Sequence, residues 1–267
     1  MSMTFSPDRW HIQTADGVES GRRRESATLQ NGLDILELVA DGSMSLAELV
    51  QRTDLPRATV RRLSLALLSR NLLVADATGR FRPGPKLLLL GESAKSQIDL
   101  MRVARPCLQA LTTLTGHSTF LGRRDGDYCV HMHRSTGRER VTVMTGPGTR
   151  RPLAETSLGR ALLIDDNPGA VDRALALANP DYMPAAARDD MQTSAGRGVI
   201  LSQGPGPHFV NGIASPVRDA SGAIVAAISV ASAASYLPLD RMRLLAPVVR
   251  QAAAEISGML GHALGAR

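Results

Sequence analysis

Apolar residues recur every three or four positions through residues 29–67, and the breaks in that rhythm fall at helix-ending signals. Leu29, Leu33, Leu36 and Ala40 keep the spacing after Ser26, an N-cap residue, until Asp41-Gly42 closes the segment. Ser45 and Glu48 form a capping box, in which the hydroxyl accepts from the Glu48 amide and the carboxylate from the Ser45 amide, so a second helix starts at Leu46. Leu46, Leu49 and Val50 share its apolar face. Asp54-Leu55-Pro56 then breaks the chain, because proline cannot continue a helix but can open the next one. A third helix begins near Arg57. It buries Val60, Leu63 and Leu67 and leaves Arg57, Ala58, Arg61 and Arg62 toward solvent or a partner. Two short extended pieces follow, over residues 72–75 and 81–84, around a turn containing Gly79, and predict a β-hairpin wing with basic residues on its return strand.

Beyond the hairpin, Leu87, Leu88, Leu89, Leu90, Ile98, Leu100, Met101 and Val103 predict one linker helix ending before Pro106. It is too apolar to stand alone in water and predicts packing against a second subunit. The remaining half alternates strands and helices with no βαβ fingerprint. Strands are expected over 117–123, 127–134 and 139–145, then a loop from Gly146-Pro147-Gly148 into a helix over 157–164 and a second helical piece over 170–178. A polar stretch over 184–195 is readable as helix. Strands return over 198–202, 209–217 and 223–231, the last two joined by the Asp219-Ala220-Ser221-Gly222 turn, and an amphipathic helix over 239–264 closes the chain. This is an α+β pattern.

Composition narrows the function. The 267 residues suffice for about two domains, and 43% apolar with 21% charged residues is ordinary for a globular protein. Charge is not evenly spread. Arg52, Arg57, Arg61, Arg62, Arg70, Arg80, Arg82 and Lys86 stand against Asp54 and Asp76, an excess equal to the whole chain's formal net charge of +6. A locally basic helix-turn-helix on an otherwise neutral chain is the electrostatic footprint of double-stranded DNA binding. Aromatic residues at 3% disfavour the stacking platforms of single-strand binders. The two cysteines are too few for a disulfide framework or a zinc finger. No apolar run reaches membrane-spanning length, and residues 1–21 lack a signal-peptide core, so a cytoplasmic protein with no membrane partner is expected. Residues 1–25, ending near Arg22-Arg23-Arg24, read as a flexible basic arm.

These features resemble the IclR family of bacterial transcription regulators. The likeness runs through LDILELVADG, SLAELVQRTDLPRATVRRL, GRFRPGPKLLLLG and ARPCLQALTTLTG, then RPLAETSLGRALL and NGIASPVRDASGAIVAAISVAS, in the family's order over about nine tenths of the chain. The resemblance implies a winged helix-turn-helix DNA-binding domain over 26–85, a linker and dimerisation helix over 86–105, and a GAF-like effector-binding domain over 106–267. It also implies homodimers or dimer pairs on a pseudo-palindromic operator. Arg57 and Arg61 are the candidates for base edges, with Ala58 allowing close approach, while Thr59, Arg62 and Arg80 touch phosphates or brace the motif. Carried over by position, the resemblance puts an effector against Ser157, Leu158, Ser202, Val210, Gly212, Ser229 and Ala231. The Ser202-Gln203 pair departs from the acidic residues of many relatives, and Gly204-Pro205-Gly206-Pro207 follows it. The loop-to-helix residues 156–159 offer backbone amides to a carboxylate, and the Leu, Val and Ile of the neighbouring strands suggest an apolar or aromatic body, so the expected effector is a small organic acid.

Enzymatic readings are weaker. Cys129, His131 and His133 alternate along one strand and would share a face, a possible metal cluster but one without a fourth ligand nearby, so a polar strand face is favoured and no metal is expected. Cys107 has no His or acid at helical spacing, and Thr156-Ser157-Leu158-Gly159 lacks the features of a nucleophile elbow. No catalytic residue and no cofactor is assigned. The alternatives are a DNA-binding assembly protein without a ligand and, behind it, a metal-dependent enzyme using Cys129, His131 and His133.

Overall fold

The computed structural model describes residues 27–140, 143, 145–182, 197–204 and 209–263. The expected basic arm, the Ser26 cap and the stretch over 184–195 lie outside them. The chain divides into two compact units, separated between Gln97 and Ile98.

The first unit contains α1 (Ala27–Ala40), α2 (Leu46–Thr53), α3 (Arg57–Ser69), the hairpin strands β1 (Leu73–Ala75) and β2 (Phe81–Pro83), and α4 (Pro85–Gln97). Its core joins Ile35, Val39, Leu49, Val60, Leu63 and Leu73. The apolar stripe of α1 is therefore shifted from the one its leucines suggest. Ile35 and Val39 are buried, whereas Leu29 and Leu33 are exposed, because only the last turns of α1 meet α2, α3 and the hairpin.

Capping and turn chemistry fix the rest of this unit. The Ser45 amide donates to Glu48 Oε2 at 2.6 Å and the Glu48 amide to Ser45 Oγ at 3.3 Å, which starts α2 as expected. Asp54 ends it in the left-handed conformation at φ 51°, and Pro56 caps α3. In the wing, Asp76 Oδ1 accepts from the amides of Thr78 and Arg80 and from the Thr78 hydroxyl, and Gly79 supplies the positive φ of 76°. Leu73 pairs with Pro83 and Ala75 with Phe81, and Phe81 also bridges to Met44 ahead of α2.

The expected single linker helix is two. α4 ends at Gln97, and Asp99 caps α5 (Leu100–Thr115) by accepting from the Met101 amide at 2.9 Å. Pro106, expected at a boundary, lies inside α5. It forfeits one backbone hydrogen bond there, and the burial of Ala104, Cys107, Leu108 and Leu111 along the same helix offsets that loss.

The second unit is one antiparallel sheet in the order β5-β4-β3-β8-β7-β6. The strands are β3 (Ser118–Asp125), β4 (Tyr128–Ser135), β5 (Arg150–Pro152), β6 (Ile200–Ser202), β7 (Val210–Arg218) and β8 (Ile224–Ala233). The strand expected over 139–145 lies partly outside the described residues; Glu139 and Arg140 are not in a strand, and β5 pairs with β4, Gly148 at φ 85° turning the chain back so that Thr149 accepts from the His131 amide and Arg150 pairs with Val130. α5 and the closing α8 (Leu239–Met259) cover one sheet face through Leu121, Ile213, Ile228 and Val230. The short α6 (Ser157–Leu162) and α7 (Pro168–Leu177) lie on the other, against Phe120, Ala214, Ala227 and Ala231. Alternation along the strands sorts side chains by size: aliphatic residues toward α5 and α8, glycine, alanine and serine toward α6. Among the described residues no helix is long and apolar enough to cross a membrane.

Glu48 ties these local signals together, since Arg80 of the wing reaches it at 2.8 Å. Its carboxyl lies well below the usual carboxylate range, at about 2, first because it accepts from the Ser45 amide, then from the Ser45 hydroxyl and Arg80. A depressed carboxylate contributes stability that is complete above its unfolded value and lost as pH falls toward about 2. Glu48→Gln is expected to lower the hydrogen-exchange protection of the α2 amides at pH 6 and to flatten its decline on acidification. An unchanged pH profile would show that Glu48 is not the titrating group.

Candidate functional site

Two surfaces carry chemistry, one on each unit. On the first, α3 turns Val60, Leu63 and Ser64 inward and exposes Arg57, Ala58, Arg61 and Arg62. Arg57 and Arg61 follow each other at i, i+4, as do Ala58 and Arg62, so the four form two adjacent rows on one face. Thr59 is half-buried at the edge. Arg80 differs from the others. Its Nη2 donates to the Ser43 carbonyl at 2.7 Å and pairs with Glu48, and its Nε donates to Ser43 Oγ at 3.3 Å, so the guanidinium is engaged in bracing the wing against α2. Leu65 is exposed and continues the Arg57–Arg61 row at i, i+4, i+8, a spacing already present in the residues of α3.

On the second unit, Ser157, Leu158, Ser202, Val210, Gly212, Ser229 and Ala231 all line one cavity of about 320 Å³ between α6 and the sheet. The elements that meet there explain why. β7 and β8 pair Gly212 with Ala231 and Ala214 with Ser229, so small side chains face α6 and leave room. A Cβ on Gly212 would sit 2.5 Å from Ser157 Oγ, and one on Gly159 would sit 2.0 Å from the Leu153 carbonyl oxygen. Both glycines are required for α6 to lie this close to the strands and to the turn before it. Arg160, fully buried, secures the same corner by donating from Nε to the Ala154 carbonyl at 2.7 Å.

The lining differs from the sequence expectation in three respects. First, most of the Val and Ile of β7 and β8 (Ile213, Val217, Val225, Ile228 and Val230) face the opposite side of the sheet, and the apolar lining comes from Phe120, Val143, Leu158, Phe209 and, at the start of β7, Val210. Second, not all of the 156–159 amides are open to a ligand, because Thr156 Oγ1 caps α6 by accepting from the Gly159 amide at 2.9 Å. Third, the cavity wall holds charged and titratable residues that spacing did not reveal: His131, Arg151 and Glu155. They come from β4, β5 and the turn ahead of α6, and no local motif links His131 to the Arg151–Glu155 pair. Arg151 donates from Nε and Nη2 to Glu155 Oε2 at 3.2 and 2.9 Å, and the Asn179 amide donates to Glu155 Oε1 at 2.9 Å.

The Cys129, His131 and His133 expectation is corrected by a β-bulge. Leu121 pairs with His133 but Gly122 with His131, so Met132 is inserted and the alternation flips. His133 lies with Leu121 on the α5 face, where Ser135 Oγ is 3.3 Å from its Nε2. Cys129 and His131 lie on the α6 face, with Cys129 Sγ directly over Gly122. Among the described residues no three His, Cys, Asp or Glu side chains are placed to hold a metal ion. Burial pushes the Cys129 thiol up to about 12 and that of Cys107 to about 11, so both are protonated at neutral pH and neither is a ready nucleophile. Burial, and then the positive charge of Arg151, push His131 down to about 4, so its imidazole is neutral.

Comparison with known proteins agrees with the arrangement of both units. A family profile described as bacterial transcriptional regulator IclR C-terminal matches residues 92–258, and the IclR helix-turn-helix domain matches residues 28–77. The chain is 29% identical to the HTH-type transcriptional regulator BhcR of Paracoccus denitrificans, over 86% of this chain and 85% of that one. It is 26% identical to the HTH-type transcriptional repressor AllR of Escherichia coli K12, over 91% and 94%. Among solved structures, Pseudomonas aeruginosa HmgR superposes with a TM-score of 0.74 at 24% identity, covering 90% of this chain and all of that one. The repressor BlcR of Agobacterium tumefaciens gives 0.73 at 23%, covering 88% and 97%. BhcR is named as a transcriptional regulator, and AllR and BlcR as repressors.

The close approach at Gly159 yields a test. Gly159→Ala forces its methyl group into the Leu153 backbone and is expected to destabilise the second unit by about 1–3 kcal/mol. Chemical denaturation followed by the protection of β7 and β8 amides measures it, and an unchanged midpoint would mean that the turn yields freely.

Proposed function

We propose, for a chain that belongs to the IclR family of bacterial transcriptional regulators and binds DNA through its helix-turn-helix, that a small organic acid held in the cavity modulates that binding at a catabolic operon. The observation that carries this reading is the convergence of seven positions, from α6, β6, β7 and β8, on one cavity with an apolar lining and three serine hydroxyls.

On DNA, the front of α3 enters the major groove and the wing lies along the backbone. Arg57 and Arg61 read base edges, Ala58 permits the approach, and Thr59 and Arg62 meet phosphates. Arg80 serves by bracing the wing, in keeping with its bonds to Ser43 and Glu48. A homodimer presents two such helices to a pseudo-palindromic operator. Support for it comes from α4, where Leu88 and Leu89 are 75% and 73% exposed, a pair of leucines that a second subunit would cover. Arg61→Ala is expected to weaken binding to an operator selected from random DNA by about 1–3 kcal/mol, and to weaken binding to scrambled DNA less. Equal losses on both DNAs at one salt concentration would make Arg61 a phosphate contact.

In the cavity, the hydroxyls of Ser157, Ser202 and Ser229 and the Arg151 guanidinium supply the polar contacts for a carboxylate, and Phe120, Leu158 and Phe209 hold its apolar body. Such an acid raises the melting temperature by mass action, and its uncharged amide does so much less. A thermal-shift panel of straight-chain and aromatic carboxylates beside their amides checks this. Equal stabilisation by the amides would overturn the anion reading, and a small molecule that binds without altering affinity for DNA would leave the second unit as an assembly module.

A further inference from the structure

The cavity has polar groups at two separated ends. His131 stands on β4 and Ser202 on β6, with β3, β8 and β7 between them in the sheet. Four strand spacings make about 19 Å measured along the sheet, shortened by its twist and by the side chains themselves. Phe120 and Ala231 line the middle of that path, on β3 and β8, with the single hydroxyl of Ser229 beside Phe120.

At the β4 end the polar chemistry is incomplete. His131 is 6% exposed, its ring stands edge-on to Phe120 with centroids 5.8 Å apart, and among the described residues neither ring nitrogen has a hydrogen-bond partner. A buried imidazole without a partner forfeits the hydrogen bonds it makes in water, a cost that native interiors seldom leave unmet. The backbone does not explain it, since the His131 amide and carbonyl are taken by Thr149 and Gly148. The ring is held at the cavity wall beside Arg151 with a donor and an acceptor to offer.

We propose that the effector is a two-ended molecule, a carboxylate with a second polar group across an apolar body, and that His131 is the specificity-determining residue that hydrogen-bonds one of those ends. This rests on the effector reading given above. Because the imidazole is neutral, it presents one donor and one acceptor, and so suits a hydroxyl, which answers either nitrogen, or a carboxylate on the protonated one. A plain monocarboxylate fills the cavity but leaves His131 unpaired. Its discrimination is therefore of the kind that a site built to bond a polar group exerts against an analogue lacking it.

The test compares straight-chain C4 to C8 acids in three forms, monocarboxylate, ω-hydroxycarboxylate and dicarboxylate, by calorimetry and thermal shift on the full-length protein. Wild-type protein is expected to prefer a two-ended form over the monocarboxylate of the same length by about tenfold or more. His131→Phe keeps an aromatic ring against Phe120 and is expected to bring that ratio close to one while still binding the monocarboxylate. His131→Gln, which retains a donor and an acceptor, is expected to restore part of the preference. Monocarboxylates binding as well as the two-ended acids, or a ratio unmoved in His131→Phe, would overturn the proposal and leave the effector reading standing. If no acid of any form binds the wild-type protein, the effector reading falls and takes this inference with it.

Discussion

The second unit depends on how closely α6 approaches its neighbours. Two backbone positions without side chains set that distance: Gly159, packed against the Leu153 carbonyl, and Gly212, packed against the first residue of α6. Any Cβ at either place would separate α6 from the turn before it or from β7. The capped start of α6, the Ser157 hydroxyl and the buried Arg160 all take their positions from this contact. The cavity is the space left beside it, where the strands offer glycine, alanine and serine instead of larger side chains.

The DNA-binding unit is organised by a charged node. Glu48 starts α2 through its capping box and receives the wing's Arg80, so the same carboxylate defines a helix end and the orientation of the hairpin. The arrangement also divides the basic residues by role. Arg80 is engaged within the fold, whereas Arg57, Arg61 and Arg62 stand on the open face of α3, where their charge is available to an anionic polymer.

Polarity within the cavity follows from opposing effects on neighbouring groups. Arg151 and Glu155 neutralise each other on the wall, and the Arg151 charge, added to burial, keeps His131 uncharged. The cavity thus combines a balanced ion pair, a neutral imidazole and hydroxyl groups around an apolar middle. This composition differs from that of a metal centre, for which converging donors would be needed, and among the described residues none converge.

Local physical chemistry made much of this legible in the residues alone. The capping box at Ser45, the Pro56 break, the burial of Val60 and Leu63, the Gly79 turn and the Asp219–Gly222 hairpin are all interactions between residues near in sequence, so each could be read from spacing. The seven effector positions came from family likeness, not spacing, and their meeting in one cavity is a property of the sheet. Four features required the tertiary structure. The Met132 bulge reversed the face of His133 because register is decided between strands. Asp99 divided the linker helix although its apolar run looked continuous, and β7 and β8 turned most of their large aliphatic residues away from the cavity. His131 meets the Arg151–Glu155 pair only because β4, β5 and the turn before α6 are brought together, and the amino-acid sequence by itself has no periodicity that records such a meeting.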